Sequence, residues 1–156
     1  MQTRLFAIGN RYRQDDGVGP WMAERLRAAG LEVQEVGDDL IRLVEGWAGA
    51  DAAIVLEAVA SGSPVGTLHV LEVGATPLPT VWKGFSSHAF GLAEAIELSR
   101  TLGTLPRYTT LYGIEGQRFG SGEGLSPEVL DTARKLVQAI LAEGNVLLTV
   151  PSQSAM

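Results

Sequence analysis

The chain has 156 residues, 46% of them hydrophobic and 19% charged, with a formal net charge of −6 and no cysteine. That length suits one core, in which folding removes about 70% of the unfolded chain's surface from water, and the ratio of apolar to charged residues excludes intrinsic disorder. The missing thiols exclude disulfides, a cysteine nucleophile and thiolate metal ligation, while the negative field makes nucleic acid and anionic lipid unfavourable partners.

The first apolar run, residues 5–8, is too short for the hydrophobic segment of a signal peptide, and no run reaches the ~20 residues of a membrane span. A soluble, cytoplasmic protein is expected. The same run stops at Gly9-Asn10 and reads as a buried strand entering a turn. Residues 18–26 have helix-like apolar spacing that ends at Gly30. Residues 31–36 alternate between apolar and polar, and 40–44 fit a short helix. Residues 52–59 are nearly all apolar with Glu57 as the one charge, the pattern of a buried parallel strand.

Ser61-Gly62-Ser63-Pro64-Val65-Gly66 is dense in turn formers, and residues 67–73 alternate again, so the strands on either side form a hairpin or a mixed-sheet edge. Pro77 and Pro79 mark an irregular loop. A helix is expected over 88–102, with Ser87 as its N-cap. A strand follows over 108–114. The Gly-rich stretch 120–124 leads to Ser126-Pro127, a cap and first position for a last helix running to about residue 143. Strands alternating with helices predict a three-layer α/β/α sandwich on a mostly parallel, mixed sheet of about five strands. No domain boundary interrupts residues 1–150, and 151–156 read as a loose tail.

Ligand sites in such sheets gather at the carboxyl ends of the strands. The residues that land there are Asn10, Asp15 and Asp16 after the first strand, Glu57 on the third, and His88 at a helix start. Two carboxylates and an imidazole suit a divalent transition ion such as nickel or zinc. A helix N-terminus would disfavour protonated His88 and keep a ring nitrogen available. Plainer readings compete: Asp15 or Asp16 as an N-cap, His88 as an ordinary helix-start residue, and His69 as a surface residue. Glu57 resists a plain reading, because a lone carboxylate in an apolar strand is costly unless it is paired or exposed. Gly9–Gly19 does not match dinucleotide-binding spacing, and no phosphate-loop lysine is present. No Gly-x-Ser-x-Gly elbow occurs, and the adjacency of Ser86, Ser87 and His88 does not make a dyad.

Three segments together resemble one family. Gly9-Asn10-Arg11-Tyr12-Arg13-Gln14-Asp15-Asp16-Gly17-Val18-Gly19 is similar to the Gly-Asn-x-x-x-x-Asp-(Asp/Glu)-Gly-x-Gly opening of the hydrogenase maturation endopeptidases. Ile54-Val55-Leu56-Glu57-Ala58-Val59, followed by Ser61-Gly62 and Pro64-x-Gly66-Thr67, resembles that family's third strand and turn. Ser87-His88-Ala89-Phe90-Gly91-Leu92 continues the likeness to Tyr112-Gly113-Ile114-Glu115 and Gly124-Leu125-Ser126-Pro127.

The resemblance implies a twisted sheet flanked by helices. It also implies an aspartic-type endopeptidase that removes a C-terminal extension from the nickel–iron hydrogenase large-subunit precursor once nickel is in place. The ion's ligands would be Asp16, Glu57 and His88, the nickel would come from the precursor, and the enzyme would hold no tight cofactor of its own. Asp38 is a candidate acid or base. The chain departs from the pattern at Glu57, where the family usually has aspartate, and at Val36-Gly37-Asp38-Asp39-Leu40, where it often has Asp-Gly-Gly-Thr. Two alternatives follow: a non-cleaving module that binds the nickel-loaded subunit, and a metallohydrolase with its own zinc.

Overall fold

A computed structural model describes residues 1–74 and 91–149. In chain order the elements are β1 (Thr3–Ile8), a 3₁₀ turn (Gln14–Gly17), α1 (Val18–Ala28), β2 (Val33–Gly37), α2 (Leu40–Trp47), β3 (Ala52–Val59), β4 (Leu68–Val73), α3 (Leu92–Leu102), β5 (Tyr108–Glu115) and α4 (Pro127–Thr149). The five strands form one sheet in the order β2-β1-β3-β5-β4. The β1–β2, β1–β3 and β3–β5 pairs are parallel, and β4 lies antiparallel on β5. The expected mixed sheet is therefore present, as an edge. The turn at 61–66 does not close a hairpin, because β5 inserts between β3 and β4.

Alternation along the central strands sends side chains to both faces, and each face has its own core. On one face Leu5, Ile54, Leu56 and Ile114 pack with Met22 and Leu26 of α1 and Val129, Leu136 and Ile140 of α4. On the other, Phe6, Val55 and Leu111 pack with Leu43 and Trp47 of α2 and Ile96 of α3. Trp47 is the largest side chain there. Its indole N–H donates to the Ser99 hydroxyl at 2.8 Å, and its ring meets Phe6 edge-on at 6.4 Å, which satisfies the one polar atom of a buried aromatic. The architecture is the three-layer sandwich.

Element limits differ from the sequence pattern at three places. Helix α2 runs on to Trp47 because Val44 and Trp47 continue the buried stripe. Helix α4 continues beyond residue 143, to Thr149. Helix α3 starts at Leu92 rather than 88: Gly91 is its extended N-cap (φ −96°, ψ −171°), and the Glu94 carboxylate accepts from the Gly91 N–H at 2.9 Å. Ser87 is thus not the cap of this helix. It lies outside the described residues with His88, as does the 151–156 tail.

The topology creates a switch point. From β1 the chain crosses one face through α1 to β2, and then returns over the opposite face through α2 to β3, on the other side of β1. The connections leaving the carboxyl ends of β1 and β3 therefore diverge, and a switch point of this kind is where open α/β sheets bind ligands.

Candidate active site

The β1–α1 loop is shaped by close backbone approach. A Cβ on Gly19, in the first turn of α1, would stand 2.9 Å from the Leu56 carbonyl oxygen and closer still to that of Ile8. One on Gly17 would stand 2.8 Å from Arg11 Cα, and Gly9 has φ +131° beside the Asp16 carbonyl. The Asn10 side chain accepts from Tyr12 N–H, and Asn10 N–H donates to Asp16 Oδ2, both at 2.8 Å. Glycine spacing in this loop thus serves packing, and it aims the Asp16 carboxylate back over the end of β1.

Glu57 lies one residue beyond the Ala7–Leu56 pair, level with the last residue of β1 and on the α2/α3 face. Its side chain is buried at 7% exposure, and Oε2 has no hydrogen-bond partner among the described residues. Burial, and after it the negative charge of Asp16, push its carboxyl up from 4.5 to about 8. The two acids therefore share one field, with Asp16 half-buried at the rim. Asp38 is exposed just past the end of β2, whose Gly37 carbonyl accepts from Gly9 N–H at 2.9 Å. Its neighbour Asp39 caps α2 by accepting from Ile41 N–H at 3.2 Å. Asp16, Asp38 and Glu57 thus occupy the carboxyl edge of three adjacent strands. His88 lies outside the described residues, and α3 itself begins at Leu92. Among the described residues no three His, Asp or Glu side chains converge closely enough to hold an ion.

Asp15 has a different task from the capping expected of it. The α1 N-cap is Gly17 and receives no side-chain hydrogen bond. Fully buried, Asp15 accepts from the amides of Gln117, Arg118 and Ser126 at 2.8, 3.0 and 2.7 Å and from the Ser126 hydroxyl at 2.7 Å. Burial alone would raise its carboxyl, but the Arg118, Ser126 and Gln117 amides with the Ser126 hydroxyl outweigh it and hold the group below its ordinary value. The Ser126 hydroxyl, expected to cap the last helix, donates to Asp15 across the chain.

Sequence reasoning missed a second satisfied carboxylate. Glu115, buried at the end of β5, accepts from Ser61 N–H at 2.8 Å, the Ser61 hydroxyl at 2.6 Å and Gly62 N–H at 3.2 Å, and lies 3.0 Å from His69 Nε2. Burial would raise it; the Ser61 hydroxyl and amide, His69 and the Gly62 amide bring it below the usual carboxylate range. His69 is accordingly half-buried and bonded, not a surface residue. The signal was available: a carboxylate closing an apolar strand, the same feature that singled out Glu57.

The sheet order and the acids gathered at its switch point define an α/β domain of the kind that binds ligands at the carboxyl edge of its strands. The chain belongs to the hydrogenase maturation protease family, a family of peptide hydrolases, whose model matches residues 22–143. It is 30% identical over 154 residues to the hydrogenase expression/formation protein HupM of Azotobacter chroococcum, covering 93% of this chain and 74% of that protein. It is 27% identical over 143 residues to HupD of Thiocapsa roseopersicina, covering 88% of this chain. The chain spans 65% of the length of HupD. In fold it is similar to the hydrogenase maturating endopeptidase HybD from Escherichia coli, with TM-score 0.79 at 24% identity over 91% of each chain. It is similar also to the [NiFe] hydrogenase maturation protease HybD from Thermococcus kodakarensis, with TM-score 0.75 at 25% identity over 91% of this chain and 98% of that one.

Proposed function

We propose that this chain is an endopeptidase that removes the C-terminal extension of a nickel–iron hydrogenase large-subunit precursor after nickel insertion. Asp16, Glu57 and His88 meet the ion, and Asp38 handles protons at the same edge. Membership of the maturation proteases supports processing, and the hydrogenase expression/formation relatives support hydrogenase as the target. Among the described residues no helix is long and apolar enough to cross a membrane; the reading places the reaction on a precursor in the cytoplasm.

One observation supports the site: Glu57 has a buried carboxylate oxygen without a partner among the described residues, beside a second acid. Such a group is retained against a stability cost, and a cation bound between the two acids would offset that cost. Nickel belongs to the substrate in this reading and supplies Lewis-acid polarisation or a more acidic water. The chain's own residues do the rest. Below about pH 8 Glu57 holds a proton, so engaging a cation displaces that proton, and affinity rises with pH until about 8. Exposed Asp38 then accepts or delivers a proton at the same sheet edge.

Incubation with nickel-loaded and nickel-free precursor tests this. Cleavage of the loaded form alone, abolished in His88→Ala, is expected. Equal cleavage of both forms, or stoichiometric chelator-resistant zinc in the purified chain, would overturn it.

A further inference from the structure

The loop that carries Asp16 is clamped to a second loop, and the clamp holds an aromatic ring out in solvent. Tyr12 O accepts from Gly122 N–H at 2.9 Å, Gln14 N–H donates to Gly122 O at 2.8 Å, and Arg13 forms a parallel bridge with Gly122. Asp15 N–H donates to Arg118 O at 2.9 Å, and Gly120 N–H donates to the Gln14 side chain at 3.0 Å. This pairing holds Gln14 at φ +52°, the one positive value outside glycine among the described residues. The Tyr12 backbone is fixed at both its N–H and its carbonyl, yet its side chain is 61% exposed.

Single exposed apolar residues are ordinary, but this one combines three features. Its backbone is rigid, so ordering it on binding costs little. It is an aromatic with a polar tip, the type that dominates interface energetics. The two clamped loops also carry arginines in a chain of net charge −6: Arg13 follows Tyr12 directly, and exposed Arg118 lies on the facing loop, where its carbonyl accepts from Asp15 N–H. Arg13 donates to the neutral Phe119 carbonyl at 3.2 Å, and neither Arg13 nor Arg118 pairs with a carboxylate among the described residues. Arg11, also on this loop, is already paired with Glu24 and Glu35.

We propose that Tyr12, with Arg13 and Arg118 on the same pair of clamped loops, is the docking anchor for an acidic face of the folded protein substrate, beside the sheet edge that takes its scissile segment. The inference rests on the proteolytic reading only for the identity of that partner. Charge complementarity selects the partner's sign: two arginines without a carboxylate partner among the described residues attract an acidic face, which the net charge of −6 on the chain otherwise repels. Arg11 and Tyr12 have exposed side chains, whereas Gly9, Gly17 and Gly19 are fixed by backbone approach and Asp15 by burial. The loop can therefore vary at its tip, and select among partners, without disturbing Asp16.

The test uses the full chain, unmodified and as Tyr12→Ala and Arg118→Glu, with purified nickel-loaded large-subunit precursor as the probe. Binding and cleavage are measured at roughly 50 mM and 300 mM salt, either side of the point where the Debye length falls to about 8 Å. Tyr12→Ala should raise Kd and KM about 30-fold at both salts, with kcat and Tm unchanged. Arg118→Glu should slow association about tenfold at low salt and much less at high salt. Unchanged Kd in Tyr12→Ala, or a loss that appears in kcat alone, overturns the docking role. If the unmodified chain binds the precursor with this dependence on Tyr12 but never cleaves it, docking stands and the proteolytic reading fails. No binding by the unmodified chain overturns both.

Discussion

Asp15 and Glu57 are both buried carboxylates at the carboxyl edge of one sheet, and they differ in what surrounds them. Asp15 receives four donors and is held ionised, joining the 10–17 loop to the 117–126 loop. Glu57 has an oxygen with no partner among the described residues and a second acid for company, and it is pushed to about 8. The same side-chain chemistry thus serves as a clasp in one place and, in the other, as a buried acid short of a partner among the described residues. A fold selected for stability alone would satisfy both or bury neither.

The largest effect expected from this contrast is on the clasp. Asp15→Ala leaves three amides and a hydroxyl without their acceptor and should cost about 3–5 kcal/mol in denaturant unfolding. A loss below about 1 kcal/mol would show that the donors find other partners. Because its folded value lies below 3.8, Asp15 contributes stability that is present above that pH and lost as pH falls through the folded value. Removing it should flatten the acid limb of the stability curve.

Glu57→Gln should act in the opposite direction. A carboxyl raised from 4.5 to about 8 carries no penalty below 4.5, accumulates it as pH rises through this window, and carries it in full above about 8. The amide variant should match the unmodified protein near pH 4.5 and exceed it at pH 9 by roughly 5 kcal/mol, read from urea midpoints. No gain at pH 9 would mean that the carboxylate has found compensation.

Glu115→Gln comes next. It keeps the shape of the second satisfied carboxylate but turns an amide donor toward the donors from Ser61, Gly62 and His69. A loss of about 1–3 kcal/mol is expected. The smallest effect should come from Asp16→Asn, which removes only the lesser cause of the rise in Glu57. A carboxyl-carbon NMR titration should find Glu57 lowered by less than half of that rise, because burial remains.

What the sequence made legible followed from local rules. Apolar runs and alternation located the strands, and the carboxyl-end rule placed Asp16 and Glu57 at one edge, where they lie. What it concealed depends on partners remote in the chain. Asp15 meets Ser126 across 111 positions, and Glu115 meets His69 across 46, so a capping pattern and a surface pattern stood in for two tertiary clasps. The insertion of β5 between β3 and β4 is equally invisible to a turn signal that reads the same for a hairpin or a sheet edge. The start of α3 was missed because Gly91, weak by propensity, becomes an N-cap once Glu94 closes the first turn.

The most direct test of the central claim is processing of nickel-loaded large-subunit precursor by Glu57→Gln at pH 8, with the fold checked by its unfolding midpoint. The variant should be folded, more stable than the unmodified chain and unable to cleave, while Glu57→Asp retains or gains activity. Cleavage by Glu57→Gln at the unmodified rate would contradict the assignment of this buried acid to the reaction.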